Sequence, residues 1–170
     1  MPQVRLLTAP SAAELDALAE VLVDCVAGGA SVSFMHPLPW HKARTFWQRV
    51  ADDVSRGERA LLVAEDDAGI AGTVQLLLAQ PENQPHRADL AKMLVHRRAR
   101  QRGLGAALLA AAEQAARQYG KTLLMLDTAS AEAERLYTRG GWVRCGSVPR
   151  YALLPHGGLC TTTFFYRELG

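Results

Sequence analysis

Cysteine is scarce in this 170-residue chain, with three residues at positions 25, 145 and 160 and no CxxC pair. An odd number at wide spacing offers no disulfide framework and no thiolate metal cluster, which favours a reducing compartment. Cys145 and Cys160 are expected to be buried small residues rather than nucleophiles. The N-terminus carries no secretory apolar region, and no apolar run reaches the roughly 18 residues that a membrane span needs. No membrane partner is therefore expected, and the expected location is the cytoplasm. An excess of one charge is also missing. The net charge is +2, far from the basic excess of a nucleic-acid-binding domain, so any strong positive potential has to be local. His86 and His96 have no cysteine or carboxylate at ligand spacing, so no metal is expected.

What is present suits one ordinary domain spanning residues 1–170: 49% of residues are hydrophobic and 21% charged, with no internal repeat and no low-complexity segment. A first strand, QVRLL, is followed by Ser11 with Glu14 three residues on, a helix-starting capping box, and Gly28 and Gly29 end that helix. The loop SVSFMHPLPW leads into a second helix from His41 to about Ser55, with Phe46, Val50 and Val54 on its apolar side. Two strands around the turn Asp67–Gly69 read as a hairpin. DLAKMLV is a strand, LGAALLAAAEQAARQY a helix closed by Gly120, and TLLMLDT an almost wholly apolar strand, which together make a right-handed βαβ unit with parallel strands. A short helix, AEAERLYTRGG, and two strands around the turn Pro155–Gly158 complete the order β-α-α-β-β-β-α-β-α-β-β. The fold class is α/β of the α+β kind, a mixed sheet with one parallel pair in the middle.

The chemistry concentrates between that parallel pair. Arg97, Arg98, Arg100 and Arg102 crowd together and stop at Gly103 and Gly105, at the entrance to the alanine-rich helix. A helix N-terminus reached through glycine offers unpaired N–H groups and roughly half a positive charge. Glycine lets the backbone approach a phosphate closely, and arginines add charge-assisted bonds to its oxygens. A P-loop needs a lysine that this loop lacks, and Leu108 stands where a Rossmann fingerprint requires its third glycine. The basic stretch is short and has no aromatic neighbour for stacking on bases, which argues against nucleic acid.

These residues resemble the GNAT superfamily of acyl-CoA-dependent N-acetyltransferases. Arg100-Gln101-Arg102-Gly103-Leu104-Gly105 fits the family pattern Gln/Arg-x-x-Gly-x-Gly/Ala, and AERLYTRGGW is similar to a later Ala-x-x-Leu-Tyr segment of the family. Within the superfamily, ADLAKMLVHRRARQRGLG, LLMLDT and YALLPHGGLCTTTFFYREL look similar to tabtoxin-resistance-type acetyltransferases, which acetylate a small toxin amine. The resemblance implies a mostly antiparallel sheet with a central splayed parallel pair and helices on both faces. It implies acetyl-CoA as acyl donor, held by Arg98, Arg100, Gln101, Arg102, Gly103, Leu104 and Gly105, with the pantetheine arm along the backbone of Met93, Leu94 and Val95. Homodimers are common in the family.

Candidate catalytic residues follow from the reaction. Thioester transfer expels a thiolate, which a phenol can protonate, and Tyr137 is the tyrosine of the family-like segment; packing on the sheet is its alternative role. A protonated amine acceptor has to lose a proton. Asp89, at the start of one parallel strand, and Asp127, at the end of the other, are the candidates, with a turn and a helix N-cap as their structural alternatives. In the family the loop with His36, Trp40 and His41 covers the acceptor cleft, which makes His36 and Trp40 candidate acceptor contacts, unless Trp40 packs to hold the loop. The expected activity is direct acetyl transfer from acetyl-CoA to a small primary amine, such as a toxin, antibiotic or amino-acid-like amine. A protein N-terminal or lysine acetyltransferase and a non-catalytic acyl-CoA sensor are the alternatives.

Overall fold

The computed structural model describes residues 2–170 and follows the expected order of elements without exception. Strand β1 (Gln3–Leu6) leads to helices α1 (Ala12–Ala27) and α2 (Trp40–Ser55), then to β2 (Arg59–Asp66), β3 (Gly69–Leu77) and β4 (Arg87–Val95). After one 3-10 turn over Arg97–Ala99 come α3 (Leu104–Gln118), β5 (Leu123–Thr128), α4 (Ala131–Arg139), β6 (Val143–Leu153) and β7 (Leu159–Glu168). Among the described residues no helix is long and apolar enough to cross a membrane.

Local chemistry sets the element ends. Ser11 Oγ accepts from the Glu14 N–H at 3.1 Å and Glu14 Oε1 accepts from the Ser11 N–H at 2.9 Å, so the reciprocal box at the start of α1 is complete. Helix α2 begins one residue earlier than the sequence suggests, because Pro39 fits the entry and needs no N–H there. Its buried stripe is also rotated. Ala43, Trp47 and Val50 are buried, whereas Phe46 and Val54 are half-buried, as the i, i+4, i+7 spacing from Ala43 requires.

The seven strands form one sheet in the order β1-β2-β3-β4-β5-β7-β6, and every neighbouring pair is antiparallel except β4 and β5. One face packs on α3 and α4 through small and branched side chains such as Ala112, Ala116 and Leu108, which lets the helix sit close to the strands. The other face packs on α1 and α2 around Trp47, Leu18 and Leu22. The cysteines differ from expectation, since Cys25 is the buried one while Cys145 is exposed and Cys160 lies between. Cys145 sits on the edge strand β6, where one side of the ladder has no neighbour.

Strands β4 and β5 stay paired for three residues only, Arg87 with Leu123, Ala88 with Leu124 and Asp89 with Met125. Beyond that point they part, β4 continuing along β3 to Val95 and β5 along β7 to Thr128. The opening places unpaired strand backbone next to the N-terminus of α3.

Candidate active site

A cavity of about 550 Å³ fills the opening between β4 and β5. One end is made by the N-terminus of α3. Gly103 is its N-cap, at φ +79°, and no side chain caps the helix. The first intrahelical bond runs from the Ala107 N–H to the Gly103 carbonyl at 3.0 Å, which leaves the amides of Leu104, Gly105 and Ala106 free at the cavity. No acidic side chain stands in that first turn to occupy them. A Cβ at Gly103 would meet nothing within 4 Å, so the glycine answers a left-handed backbone and an open approach, not a protein contact. Gly105 has a different reason. A Cβ there would lie 3.4 Å from Leu136 Cδ2, so its small size lets α3 and α4 pack.

The four arginines divide their work. Arg97 donates from its backbone N–H and from Nε to the Asp24 carboxylate, at 2.9 and 3.0 Å, and ties the loop to α1. Arg98 donates from Nη2 to the Ile70 carbonyl at 2.9 Å and lies 3.5 Å from Asp66, against the β2–β3 hairpin. Its backbone N–H is taken by His96 Nδ1 at 3.1 Å. Arg100 donates from Nε to the Val95 carbonyl at 3.2 Å and lines the cavity with Gln101. Arg102 is exposed and does not line it. The turn over Arg97–Ala99 thus directs the Arg98 side chain at the hairpin, while Arg102, also expected to contact the cofactor, is exposed beside the α3 N-terminus. Arg139, at the end of α4, lines the cavity instead, a residue that no sequence pattern singled out. Met93, Leu94, Val95, Leu104 and Gly105 line it too.

The other end holds the ionisable groups. Asp127 leaves β5 on the side away from α3, and its Oδ2 accepts from Thr162 Oγ1 at 2.9 Å. It caps no helix, because Ser130 does, accepting from the Ala133 N–H at 3.2 Å. Tyr137 is 4% exposed, with its ring centroid 5.7 Å from Trp142 and 6.0 Å from Phe165, yet it also reaches the cavity. Burial, reinforced by the Asp127 charge, pushes its phenol well above the ordinary tyrosine value, which keeps it protonated. This one side chain both packs in the core and lines the cavity.

Three expectations do not meet at the cavity. Asp89 lies on the paired part of β4, two residues after the strand's start, and its carboxylate is engaged by Arg87 Nη1 and by Gln80 Nε2 at 3.2 Å. It stands outside the lining. The His36 ring meets that of His156 at 4.4 Å, tilted by 43°, while its backbone N–H donates to the Pro155 carbonyl at 2.9 Å, which docks the loop on the β6–β7 turn. Trp40 opens α2 at 49% exposure and does not line the cavity. From that same loop it is Ser31, Val32 and Ser33 that face the cavity, with Lys92 of β4 beside them.

The residues fit acetyl-CoA at two points: free helix-N-terminal amides with a cationic rim for phosphates, and unpaired strand backbone for an amide-bearing arm. Residues 25–142 match the model of the acetyltransferase (GNAT) family. The fold is shared with solved structures of low sequence identity. A ribosomal-protein-alanine N-acetyltransferase from Brucella melitensis is 22% identical over 98% of this chain and 99% of its own, with a TM-score of 0.82. The protein yncA from Salmonella typhimurium, solved with its cofactor acetyl-CoA, is 17% identical over 100% of this chain and 95% of its own, at 0.81. A phosphinothricin acetyltransferase from Sinorhizobium meliloti in complex with acetyl-CoA is 19% identical over 99% and 89%, at 0.80.

Proposed function

The chain belongs to the acetyltransferase (GNAT) family and is an acetyl-CoA-dependent N-acetyltransferase, and from this we propose that its acceptor is a small primary amine acetylated directly at the open end of the cavity. The observation that carries the proposal is that Asp127 and Tyr137 line one cavity, with Ser31, Val32 and Ser33 of the loop before α2 lining it too.

Bound acetyl-CoA supplies an acetyl group on a thioester. The amides of Leu104, Gly105 and Ala106 would hold its phosphates with Arg100 and Arg139, and the β4 backbone from Met93 to Val95 would align its arm. Asp127, oriented by Thr162, attracts the cationic amine and receives its proton directly or through water. Tyr137, kept protonated by burial, donates to the sulfur as it leaves, and the second proton shed by the acylated nitrogen restores its hydroxyl. These roles are separate in space, so the cofactor and acceptor ends are expected to respond separately to mutation.

The small-amine proposal agrees with the name of the Sinorhizobium neighbour, and a peptide N-terminus as acceptor agrees with that of the Brucella neighbour. A screen of amines, amino acids, amine-bearing antibiotics and short peptides for acetyl-CoA-dependent thiol release tests both. Turnover confined to small amines supports the proposal, and turnover confined to peptides overturns it.

A further inference from the structure

Strand β4 does not keep its alternation. Its register against β3 jumps between Thr73, opposite Leu94, and Gln75, opposite Ala91, so Lys92 and Met93 together face a single residue. Before this bulge Ala88 and Leu90 point to the α3 core, whereas after it Leu94 points to the α1–α2 core and Met93 and Val95 lean on the α3 side. Regular alternation would bury Lys92 beside Leu90 among apolar side chains. The bulge, with Lys92 itself at φ +54°, turns it out into the cavity next to Ser33 and Phe46.

The ammonium there is poorly served. It donates to Ser33 Oγ at 3.3 Å and lies 5.8 Å from the Phe46 ring centroid, and among the described residues no carboxylate comes within ion-pair distance. Burial, together with repulsion from Arg59, holds its pKa below the usual lysine value, and Asp127 attracts it without pairing with it. The cation that acts on it is committed, since Arg59 bonds Asp53 Oδ2 at 2.9 Å and Gln75 Oε1 at 2.6 Å. A half-desolvated ammonium on a left-handed backbone costs free energy twice over, and an anionic ligand group at that point would relieve the first cost.

We infer that Lys92 is a specificity-determining residue, binding an acid group that the acceptor carries close to its amine. Asp127 takes the ammonium end of such a molecule and Lys92 the acid end, so the two side chains read an acceptor of opposite charges at two points. The inference rests on the transfer function proposed above, which assigns the amine to Asp127.

Matched pairs of amino acids and their carboxamides test it, with thiol release as the readout. Wild type is expected to favour the acid over the amide by about 10- to 100-fold in kcat/KM, the usual scale for a hydrogen bond to a charged group. Lys92→Met keeps the apolar stem and should erase that preference through KM, with coenzyme A affinity intact, while Lys92→Arg should keep part of it. Equal use of acids and amides by wild type, a preference that survives in Lys92→Met, or an equal loss for both members of each pair overturns the inference. Calorimetry of N-acetyl amino acids and N-acetyl amino-acid amides on protein saturated with coenzyme A gives the same contrast without turnover. Absence of turnover alone counts against the transfer function; binding of neither acid nor amide, or equal binding of both, counts against Lys92.

Discussion

Asp24 on α1 grips Arg97 twice, accepting from its backbone N–H at 2.9 Å and its Nε at 3.0 Å, so the first arginine of the basic loop anchors the loop. Burial of Asp24 works against its charge, but the two Arg97 bonds and nearby His96 outweigh it and hold the carboxyl below its ordinary value. A depressed carboxylate stabilises the fold above its unfolded value of 3.8, and the contribution is lost as pH falls below it. Asp24→Asn should cost about 1 kcal/mol at neutral pH, since Asp24 is mostly covered but its partner Arg97 is half exposed and screened by solvent. Urea melts at pH 7 and pH 3 check this: the gap between mutant and wild type should shrink at the lower pH.

Arg98 and Arg100 should behave oppositely although they stand two positions apart. Arg98→Met removes the bond to the Ile70 carbonyl and should lower stability with little change in coenzyme A affinity. Arg100→Met should weaken coenzyme A by about tenfold, the worth of one charge-assisted phosphate bond. Thermal melts and calorimetry on the same two proteins separate the effects.

At Gly103 the left-handed φ of +79° makes any β-branched replacement strained by about 1–2 kcal/mol. Gly103→Val should therefore lower stability modestly, because no protein atom obstructs the new Cβ, and weaken coenzyme A sharply, because the new side chain occupies the approach. Calorimetric titration of the folded variant with coenzyme A showing wild-type affinity would reject the phosphate role of this turn.

Asp127→Asn keeps the shape and the bond from Thr162 but removes the charge, and should raise the acceptor KM or lower kcat while coenzyme A binds as before. Thr162→Val leaves the carboxylate charged but loosens it, a milder change of about 1 kcal/mol, or severalfold in kcat/KM. Steady-state kinetics with the best amine of the screen measure both.

Tyr137→Phe retains the packing against Trp142 and Phe165 and removes only the hydroxyl. Loss of a positioned proton donor typically costs about 10²- to 10⁴-fold in rate. A kcat within roughly threefold of wild type, in protein confirmed as folded, would assign the tyrosine to packing alone, since tenfold in rate is about 1.4 kcal/mol of barrier.

Much of the architecture was legible because its signals are local. The Ser11–Glu14 box, the turn at Asp67–Gly69 and the apolar run at Leu123–Leu126 each specify their element within a few residues. The left-handed Gly103 at the head of an alanine-rich helix was legible for the same reason, since only glycine takes that backbone conformation without cost. The acceptor end was much less so. Asp89 and Asp127 look alike in sequence, as acidic residues at the ends of two parallel strands, and only the neighbours that folding supplies tell them apart: Arg87 and Gln80 around one, Thr162 and the cavity around the other.

By itself the sequence determined the order of elements, the parallel pair and the glycine turn into α3, since hydrophobic period, capping and backbone permissiveness act over one turn or one hairpin. Tertiary structure decided which arginine faces the cavity, which carboxylate remains available and where Lys92 points. Each of these depends on partners far away in the chain: Asp24 and Ile70 for the loop, Thr162 for Asp127, and the register of β3 for the bulge in β4. A period-two pattern read along one strand carries no information about an extra residue opposite its neighbour, so the turn of Lys92 into the cavity belongs to the pairing of two strands and not to either strand alone.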